Sequence, residues 1–256
     1  MKISIIQTNT EWENKSANFG KIEAALSVLP DDSDIIILPE MFNTGFSMNT
    51  AKLAEPSDGE TFRWMKSIVG SANSAICGSY MIYEEGKYFN RFVFIAPREE
   101  IWLYDKRHLF SFAGEEKFFS PGNERLVFNF RGIRISPYIC YDLRFPVWCR
   151  NRGDYDLMIN SANWPESRSD VWATLLKARA IENQCYVAGV NRIGTDGNGI
   201  KYCGDSMIIG PKGNIIATAG LDSEEAVTID ISLDELNRFR LKFPVLNDAD
   251  NFRIEL

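Results

Sequence analysis

The chain has 256 residues, of which 45% are hydrophobic and 25% are charged, and its formal net charge is −7. This composition is typical of an ordinary globular protein, and the negative charge argues against general attraction to nucleic acid or anionic lipid. No apolar run is long enough for a membrane-spanning helix, and the N-terminal run is too short for a signal peptide, so we predict one domain over residues 1–256 in the cytoplasm.

Short apolar runs rich in Ile, Val, Phe and Tyr, bounded by Gly, Pro, Asp or Asn, predict eleven β-strands. In chain order these runs occupy residues 2–8, 34–40, 74–83, 91–96, 100–105, 133–140, 156–162, 185–192, 206–210, 214–220 and 226–231. Four stretches predict helices, at about 14–29, 60–72, 170–183 and 234–242.

Three tight turns predict antiparallel hairpins: EEG at 84–86, PREE at 97–100 and PKGN at 211–214. Strand–helix–strand alternation at 2–38 and 156–192 instead predicts parallel crossovers. Because the strands outnumber the long helices, a two-sheet sandwich with helices outside fits better than a single wound sheet. The sequence therefore predicts an α/β fold with mixed sheets.

Cysteine and histidine usage limits the chemistry. Five cysteines stand at positions 77, 140, 149, 185 and 203, and His108 is the single histidine. The odd number and the absence of a CxxC pair predict reduced thiols, and no pattern indicates a zinc site. We therefore predict no metal and no cofactor, and we expect carboxylates and lysine to perform any acid–base chemistry.

Three side chains with chemical potential each follow a predicted strand. Glu40 ends the segment IIILPE, Lys106 ends IWLYDK and Cys140 ends RISPYIC. Active sites of layered α/β proteins gather at such strand ends, because loops vary there while the sheet holds its position. We therefore predict that these three residues converge in space.

Such a trio would suit covalent acyl transfer. A thiol must lose its proton to attack a carbonyl carbon, and free cysteine has a pKa near ~8.5. Glu40 can act as the base, and Lys106 can stabilise the thiolate and the oxyanion formed on attack. The backbone N–H of Tyr141 is a second candidate donor to that oxyanion. Taken singly, however, each side chain has an ordinary structural interpretation, and a buried cysteine most often just fills space.

Longer segments around these residues resemble a known family. LPEMFNTGF at 38–46, YDKRHLF at 104–110 and YICYDLRFP at 138–146 are similar to the three signature segments of the nitrilase superfamily of carbon–nitrogen hydrolases. They occur in the family's order, and the likeness covers nearly the whole chain. It is strongest to the bacterial omega-amidase branch. The resemblance implies a four-layer α-β-β-α sandwich and chains that pair as homodimers.

The same resemblance implies a role for each matching residue. Glu40 corresponds to the general base, Lys106 to the oxyanion stabiliser and Cys140 to the nucleophile. The family has a second glutamate, which orients the lysine. The doublet Glu115–Glu116 leaves its identity open, and we favour Glu115.

Trp164, Phe46 and Arg144 are candidates for substrate binding. Arg144 could hold a substrate carboxylate by bidentate bonding. We favour instead a pairing of Arg144 with Asp142 or another loop acid that fixes the turn, and the aromatic residues have a core position as their alternative. We expect His108 to be a structural partner beside the lysine, stacked or hydrogen bonded.

The branch implies an amidase that hydrolyses the terminal amide of a 2-oxo-dicarboxylic monoamide, such as 2-oxoglutaramate, through a thioester and releases ammonia. A nitrile or an N-carbamoyl amine is the alternative substrate within the superfamily. A catalytically silent dimeric scaffold and a redox sensor that pairs Cys140 with Cys149 are the alternatives outside it. The predicted partner is therefore a small-molecule amide, not nucleic acid or a membrane.

Overall fold

Fourteen strands and five helices form the regular structure of the computed structural model, which describes residues 1–30 and 32–255. In chain order the strands are β1 (Lys2–Gln7), β2 (Ile35–Ile37), β3 (Ala75–Glu84), β4 (Lys87–Ile95), β5 (Ile101–Asp105), β6 (Phe128–Phe130), β7 (Ile133–Ile139), β8 (Leu157–Ser161), β9 (Tyr186–Val190), β10 (Ile193–Thr195), β11 (Lys201–Cys203), β12 (Met207–Ile209), β13 (Ile215–Thr218) and β14 (Glu225–Asp230). The helices are α1 (Lys15–Leu26), α2 (Thr50–Leu53), α3 (Glu60–Ala72), α4 (Ser169–Asn183) and α5 (Leu233–Lys242).

Two six-stranded mixed sheets carry these elements. The first has the order β14-β1-β2-β3-β4-β5, with parallel pairing only between β1 and β2 and between β2 and β3. The second has the order β13-β12-β9-β8-β7-β6, in which β7, β8 and β9 are parallel. The predicted hairpins are confirmed as the antiparallel pairs β3–β4, β4–β5 and β12–β13, and both predicted crossovers join parallel strands.

The isoleucine run of β2 shows how the sequence forms the layers. Ile35 and Ile37 lie in the core between the two sheets, where Ile135 and Ile159 of the second sheet also pack. Ile36 packs on the opposite face, against the helices. Successive side chains of a strand point to opposite faces, so a strand that is buried on both sides is apolar at every position.

Helices cover the outer faces of both sheets. The first sheet packs against α1 and α3 through Phe19, Ile22, Met65 and Val69. Helix α4 lies against the second sheet so closely that a Cβ at Gly189 of β9 would come within 2.4 Å of Leu176. The predicted four-layer α-β-β-α sandwich is therefore confirmed.

The sequence patterns missed the shortest elements. Strands β6, β10 and β11 contain three residues each, and α2 contains four. Segments of this length hold too few residues for a repeat of two or of 3.6 to show. Among the helices within residues 1–30 and 32–255, none combines the length and apolar character needed to cross a bilayer.

Candidate active site

Cys140 follows β7 directly and has an unusual backbone conformation. Its φ is +42°, a left-handed value that residues other than glycine rarely adopt. Such a conformation costs about 1–3 kcal/mol and persists only where the surrounding structure holds it. The side chain is partly exposed, and its Sγ lies 3.8 Å from the carbonyl oxygen of Asn163. The sharp turn therefore presents the sulfur to the adjoining cavity.

Glu40 borders the same cavity from the first sheet. It lies just beyond β2, and its side chain is buried. Its Oε1 accepts a 2.8 Å hydrogen bond from Asn90 Nδ2, and its Oε2 accepts one of 2.9 Å from the backbone N–H of Asn163. Asn163 Nδ2 also donates to the Glu40 carbonyl oxygen at 2.6 Å. Two asparagines, one from each sheet region, therefore orient the carboxylate.

Lys106 follows β5 directly and is fully buried. Its Nζ donates to Glu40 Oε1 at 2.8 Å and to the two carboxylate oxygens of Glu115 at 2.9 and 3.1 Å. The backbone N–H of Phe110 holds Glu115 in place through a 2.6 Å hydrogen bond. Of the two adjacent glutamates, the structure thus places Glu115 beside the lysine and leaves Glu116 exposed.

Burial and neighbouring charges set the protonation states. Burial lowers the pKa of Lys106, but the Glu115 and Glu40 carboxylates outweigh it and raise that pKa above its ordinary value. Burial raises the pKa of Glu115, against the opposing effect of Lys106. Burial also raises the pKa of the Cys140 thiol well above its ordinary value, and the Glu40 charge adds to the rise. Lys106 is therefore cationic at neutral pH, whereas the thiol keeps its proton until a base removes it.

Glu40, Lys106 and Cys140 border a cavity of about 320 Å³. Phe46, Arg144 and Trp164, the three residues proposed for substrate binding, also line it, as does Tyr141. The Arg144 guanidinium lies over the Trp164 ring, 5.0 Å from its centroid, and Lys106 Nζ lies 5.2 Å from the centroid of Phe46. The aromatic candidates therefore belong to the cavity wall as well as to the packed interior.

The favoured pairing of Arg144 with Asp142 or another loop acid is wrong. The Asp142 carboxylate instead accepts hydrogen bonds from Tyr104, His108 and Ile139. Among the residues that the structure describes, no hydrogen bond or ion pair joins Arg144 to a carboxylate. Arg144 is only two positions from Asp142 in the sequence, but the carboxylate is bonded to groups three or more positions away. The expectation for His108 is confirmed, because it is hydrogen bonded to Asp142 close to the lysine.

Asn90 and Arg168 are among the residues of the site that sequence reasoning missed. Asn90 is a polar residue in a largely apolar stretch of β4, and this contrast was the available signal. Arg168 lies in the turn before α4, lines the cavity, and places its guanidinium 5.5 Å from the centroid of the Phe110 ring. The sequence around Arg168 carries no pattern that would have identified it.

The acidic side chains that line the cavity or lie beside it are bonded to protein donors. Glu40 and Glu115 share Lys106, and Asp196 accepts from two backbone N–H groups and from the Tyr202 hydroxyl. Within residues 1–30 and 32–255, no group of three or more His, Cys, Asp or Glu residues is arranged to hold a metal ion.

Comparisons with known proteins identify the family of the chain. The carbon–nitrogen hydrolase family model matches residues 2–241. The chain is 44% identical to the omega-amidase YafV of Escherichia coli strain K12 over 99% of this chain and 98% of that protein. It is 34% identical to the 2-oxoglutaramate amidase of Bacillus subtilis strain 168 over 96% of both chains.

A solved structure supports the same assignment. The crystal structure of XC1258 from Xanthomonas campestris, described as a CN-hydrolase superfamily protein with an arsenic adduct in the active site, covers 100% of this chain with a TM-score of 0.97 and 42% identity. The alignment includes 99% of that chain. The chain therefore belongs to the carbon–nitrogen hydrolase family of the nitrilase superfamily, and it is a hydrolase.

Proposed function

We propose that the protein is a cysteine-dependent amidase that hydrolyses the terminal amide of a small 2-oxo-dicarboxylic monoamide, such as 2-oxoglutaramate, and releases ammonia. The proposal is carried by one observation: Glu40, Lys106 and Cys140 border one cavity, and Glu115 is bonded to the lysine. The names of the omega-amidase and 2-oxoglutaramate amidase relatives support the choice of substrate.

In the first half of the reaction, Glu40 accepts the proton of the Cys140 thiol as the sulfur attacks the amide carbon. Because the pKa of this thiol is raised, the thiolate forms during attack and is not the resting state. The carbonyl oxygen becomes an oxyanion, which Lys106 and the backbone N–H of Tyr141 stabilise. Glu40 then gives its proton to the nitrogen, the C–N bond breaks, and ammonia departs. The acyl group remains on Cys140 as a thioester.

The second half restores the enzyme. Glu40 takes a proton from a water molecule, and the resulting hydroxide attacks the thioester carbon. The same donors stabilise the second oxyanion, the C–S bond breaks, and the sulfur recovers the proton from Glu40. Glu115 keeps Lys106 in place through both halves, since it holds the ammonium with two hydrogen bonds.

The cavity wall supports a substrate with a carboxylate. Arg144 and Arg168 both line the cavity, and within residues 1–30 and 32–255 neither forms an ion pair with a carboxylate. A guanidinium binds a carboxylate with two parallel hydrogen bonds, so the free acid end of the substrate is the natural partner. Phe46 and Trp164 provide apolar contact for the short carbon chain between the acid and the amide.

The test is ammonia release from a panel of amides, nitriles and N-carbamoyl amines that includes 2-oxoglutaramate. We expect 2-oxoglutaramate to be the best substrate and Cys140→Ala to abolish turnover. Cys185→Ala is the matched control, because Cys185 is a buried thiol at the opposite end of the second sheet. Activity of Cys140→Ala near the parent level would contradict the cysteine mechanism, and a better nitrile or carbamoyl substrate would contradict the amidase.

The same panel distinguishes the amidase from the catalytically silent scaffold, because the scaffold hypothesis predicts no turnover of any compound. The homodimer stays a prediction from the family resemblance, and the cytoplasmic location stays a prediction from the apolar runs of the sequence. Light scattering of the purified protein measures the first, and cell fractionation measures the second.

A further inference from the structure

Asp142 is a buried carboxylate that the proposed reaction does not use. Its side chain has no exposed surface. Its Oδ2 accepts from the Tyr104 hydroxyl at 2.7 Å and from the backbone N–H of Ile139 at 3.0 Å. Its Oδ1 accepts from the backbone N–H of His108 at 2.9 Å and lies 2.8 Å from His108 Nδ1. A buried charge is tolerated when it is hydrogen bonded in this way.

The donors come from the two segments that deliver the nucleophile and the ammonium. Ile139 is the last residue of β7 and immediately precedes Cys140. Tyr104 and His108 flank Lys106, two positions before and two positions after it. One carboxylate therefore bonds the end of β7 in the second sheet to the end of β5 in the first sheet.

Neighbouring contacts make this arrangement rigid. The His108 ring stacks on Phe145, with centroids 3.6 Å apart and ring planes 5° apart. Trp148 Nε1 donates to the Tyr104 hydroxyl at 3.0 Å. Burial raises the pKa of that hydroxyl well above its ordinary value, and the Asp142 charge adds to the rise, so the group remains a donor. The left-handed conformation of Cys140 needs such support to persist.

We infer that Asp142, together with Tyr104, His108 and Ile139, is a clamp that sets the position of Cys140 relative to Lys106. Asp142 is a positioning residue, because it acts on the reaction through the two segments that it joins. The inference rests on the proposed function where turnover is measured. The reactivity of the Cys140 sulfur towards an alkylating agent tests it without any substrate.

The experiment compares Tyr104→Phe with Tyr186→Phe. Each variant removes one tyrosine hydroxyl that bonds a distant segment, and Tyr186 bonds Ser232, outside the cavity. Three quantities are measured on each full-length variant: the melting temperature, kcat and KM for 2-oxoglutaramate, and the rate of alkylation of Cys140 by iodoacetamide. Peptide mass spectrometry identifies the alkylated residue.

We expect Tyr104→Phe to lower kcat and the alkylation rate roughly tenfold or more, since small displacements of reacting groups have effects of this size. Its KM should stay within about twofold of the parent value, and Tyr186→Phe should change only the melting temperature. Asp142→Asn replaces one acceptor oxygen by a donor, so its alkylation rate should fall further.

Equal losses of melting temperature in the two tyrosine variants, with parental kcat and parental alkylation rate in Tyr104→Phe, would overturn the clamp. If the parent protein hydrolyses none of the amides, the proposed function fails, and the alkylation rates still decide whether the clamp exists.

Discussion

The two ends of strands β7 and β8 carry charged networks of opposite character. At the amino ends, the Asp156 carboxylate accepts from Arg134 Nη2 at 2.7 Å and from Arg240 Nη1 of α5 at 2.6 Å. Beyond the carboxyl ends lie Cys140 and Asn163, next to Lys106 and its two carboxylates. One network has two cations around a single carboxylate, and the other has two carboxylates around a single cation.

This difference in charge number changes the protonation behaviour. Burial raises the pKa of Asp156, but the hydrogen bonds from Arg134 and Arg240 outweigh it and lower that pKa below its ordinary value. Burial raises the pKa of Glu115, Lys106 opposes that rise without cancelling it, and the Glu40 charge adds to it. The first network lowers the pKa of its carboxylate, whereas the second raises the pKa of both Glu115 and Lys106.

Removing the shared cation tests the comparison most severely. In Lys106→Met the oxyanion loses a donor, and kcat/KM for 2-oxoglutaramate should fall roughly a thousandfold. Glu40 and Glu115 are left buried without their cation, so the free energy of unfolding should also fall, by about 3 kcal/mol. Amide turnover and urea denaturation measure the two effects. The control is Lys87→Met, which removes an exposed lysine; parental activity in Lys106→Met would show that the ammonium has no catalytic role.

The glutamate doublet offers a sharper comparison between two identical side chains. Glu115→Gln removes a carboxylate that fixes Lys106, and kcat should fall about a hundredfold because the ammonium loses its alignment. Glu116→Gln removes an exposed carboxylate at the next position, and its kcat should stay within about twofold of the parent value. Steady-state kinetics of both variants decide the matter. Equal losses would mean that the loop charge matters and the contact with Lys106 does not.

The sequence predicted those features of the site that depend on strand ends. Glu40, Lys106 and Cys140 each follow an apolar strand, and strands β2, β5 and β7 deliver them to one cavity. The layered fold was predictable for the same reason, since long apolar runs and tight turns are local signals. Strands β6, β10 and β11 were missed, because each has only three residues and shows no measurable period.

Contacts between distant segments were the part that sequence reasoning could not supply. Asn90 reaches Glu40 across 50 positions, and Tyr104 reaches Asp142 across 38. Nothing in the local sequence distinguishes these pairs from others of similar chemistry. The closeness of Arg144 and Asp142 in sequence suggested a pair. In the folded protein, however, other groups donate hydrogen bonds to that carboxylate.

The arginines that line the cavity can be compared with those at the amino ends of strands β7 and β8. Arg134 and Arg240 have a carboxylate partner in the protein, whereas Arg168 faces the cavity without one among the described residues. In Arg168→Gln we therefore expect KM for 2-oxoglutaramate to rise about tenfold with little change in kcat, as for loss of a charged hydrogen bond. An uncharged amide such as propionamide should be unaffected.

The control is Arg152→Gln, because the Arg152 guanidinium also lies over an aromatic ring, 4.8 Å from the centroid of Phe252, and does not line the cavity. Its KM should match the parent value. An equal rise in KM for propionamide and for 2-oxoglutaramate in Arg168→Gln would mean that the guanidinium shapes the cavity and does not bind the substrate carboxylate.

The smallest effect is expected from the amino-end network. Asp156→Asn should lower the free energy of unfolding by roughly 2 kcal/mol at pH 7, since charged hydrogen bonds to two arginines are weakened. Turnover should stay within about twofold of the parent value, because the change lies at the end of the sheet opposite the cavity. Asp222→Asn, which removes an exposed carboxylate, is the control.

The lowered pKa of Asp156 sets the sign of the pH dependence of the difference in unfolding free energy between the parent and Asp156→Asn. A carboxylate whose pKa is lower in the folded than in the unfolded chain stabilises the fold above its ordinary value of 3.8. That stabilisation is lost as the pH falls below 3.8 and through the folded pKa, so parent and Asp156→Asn should converge in acid. Urea denaturation from pH 7 to pH 3 measures the gap. A gap that stays constant would assign the stabilisation to packing around Asp156, and the amino-end network would then no longer differ from the cavity by its charge.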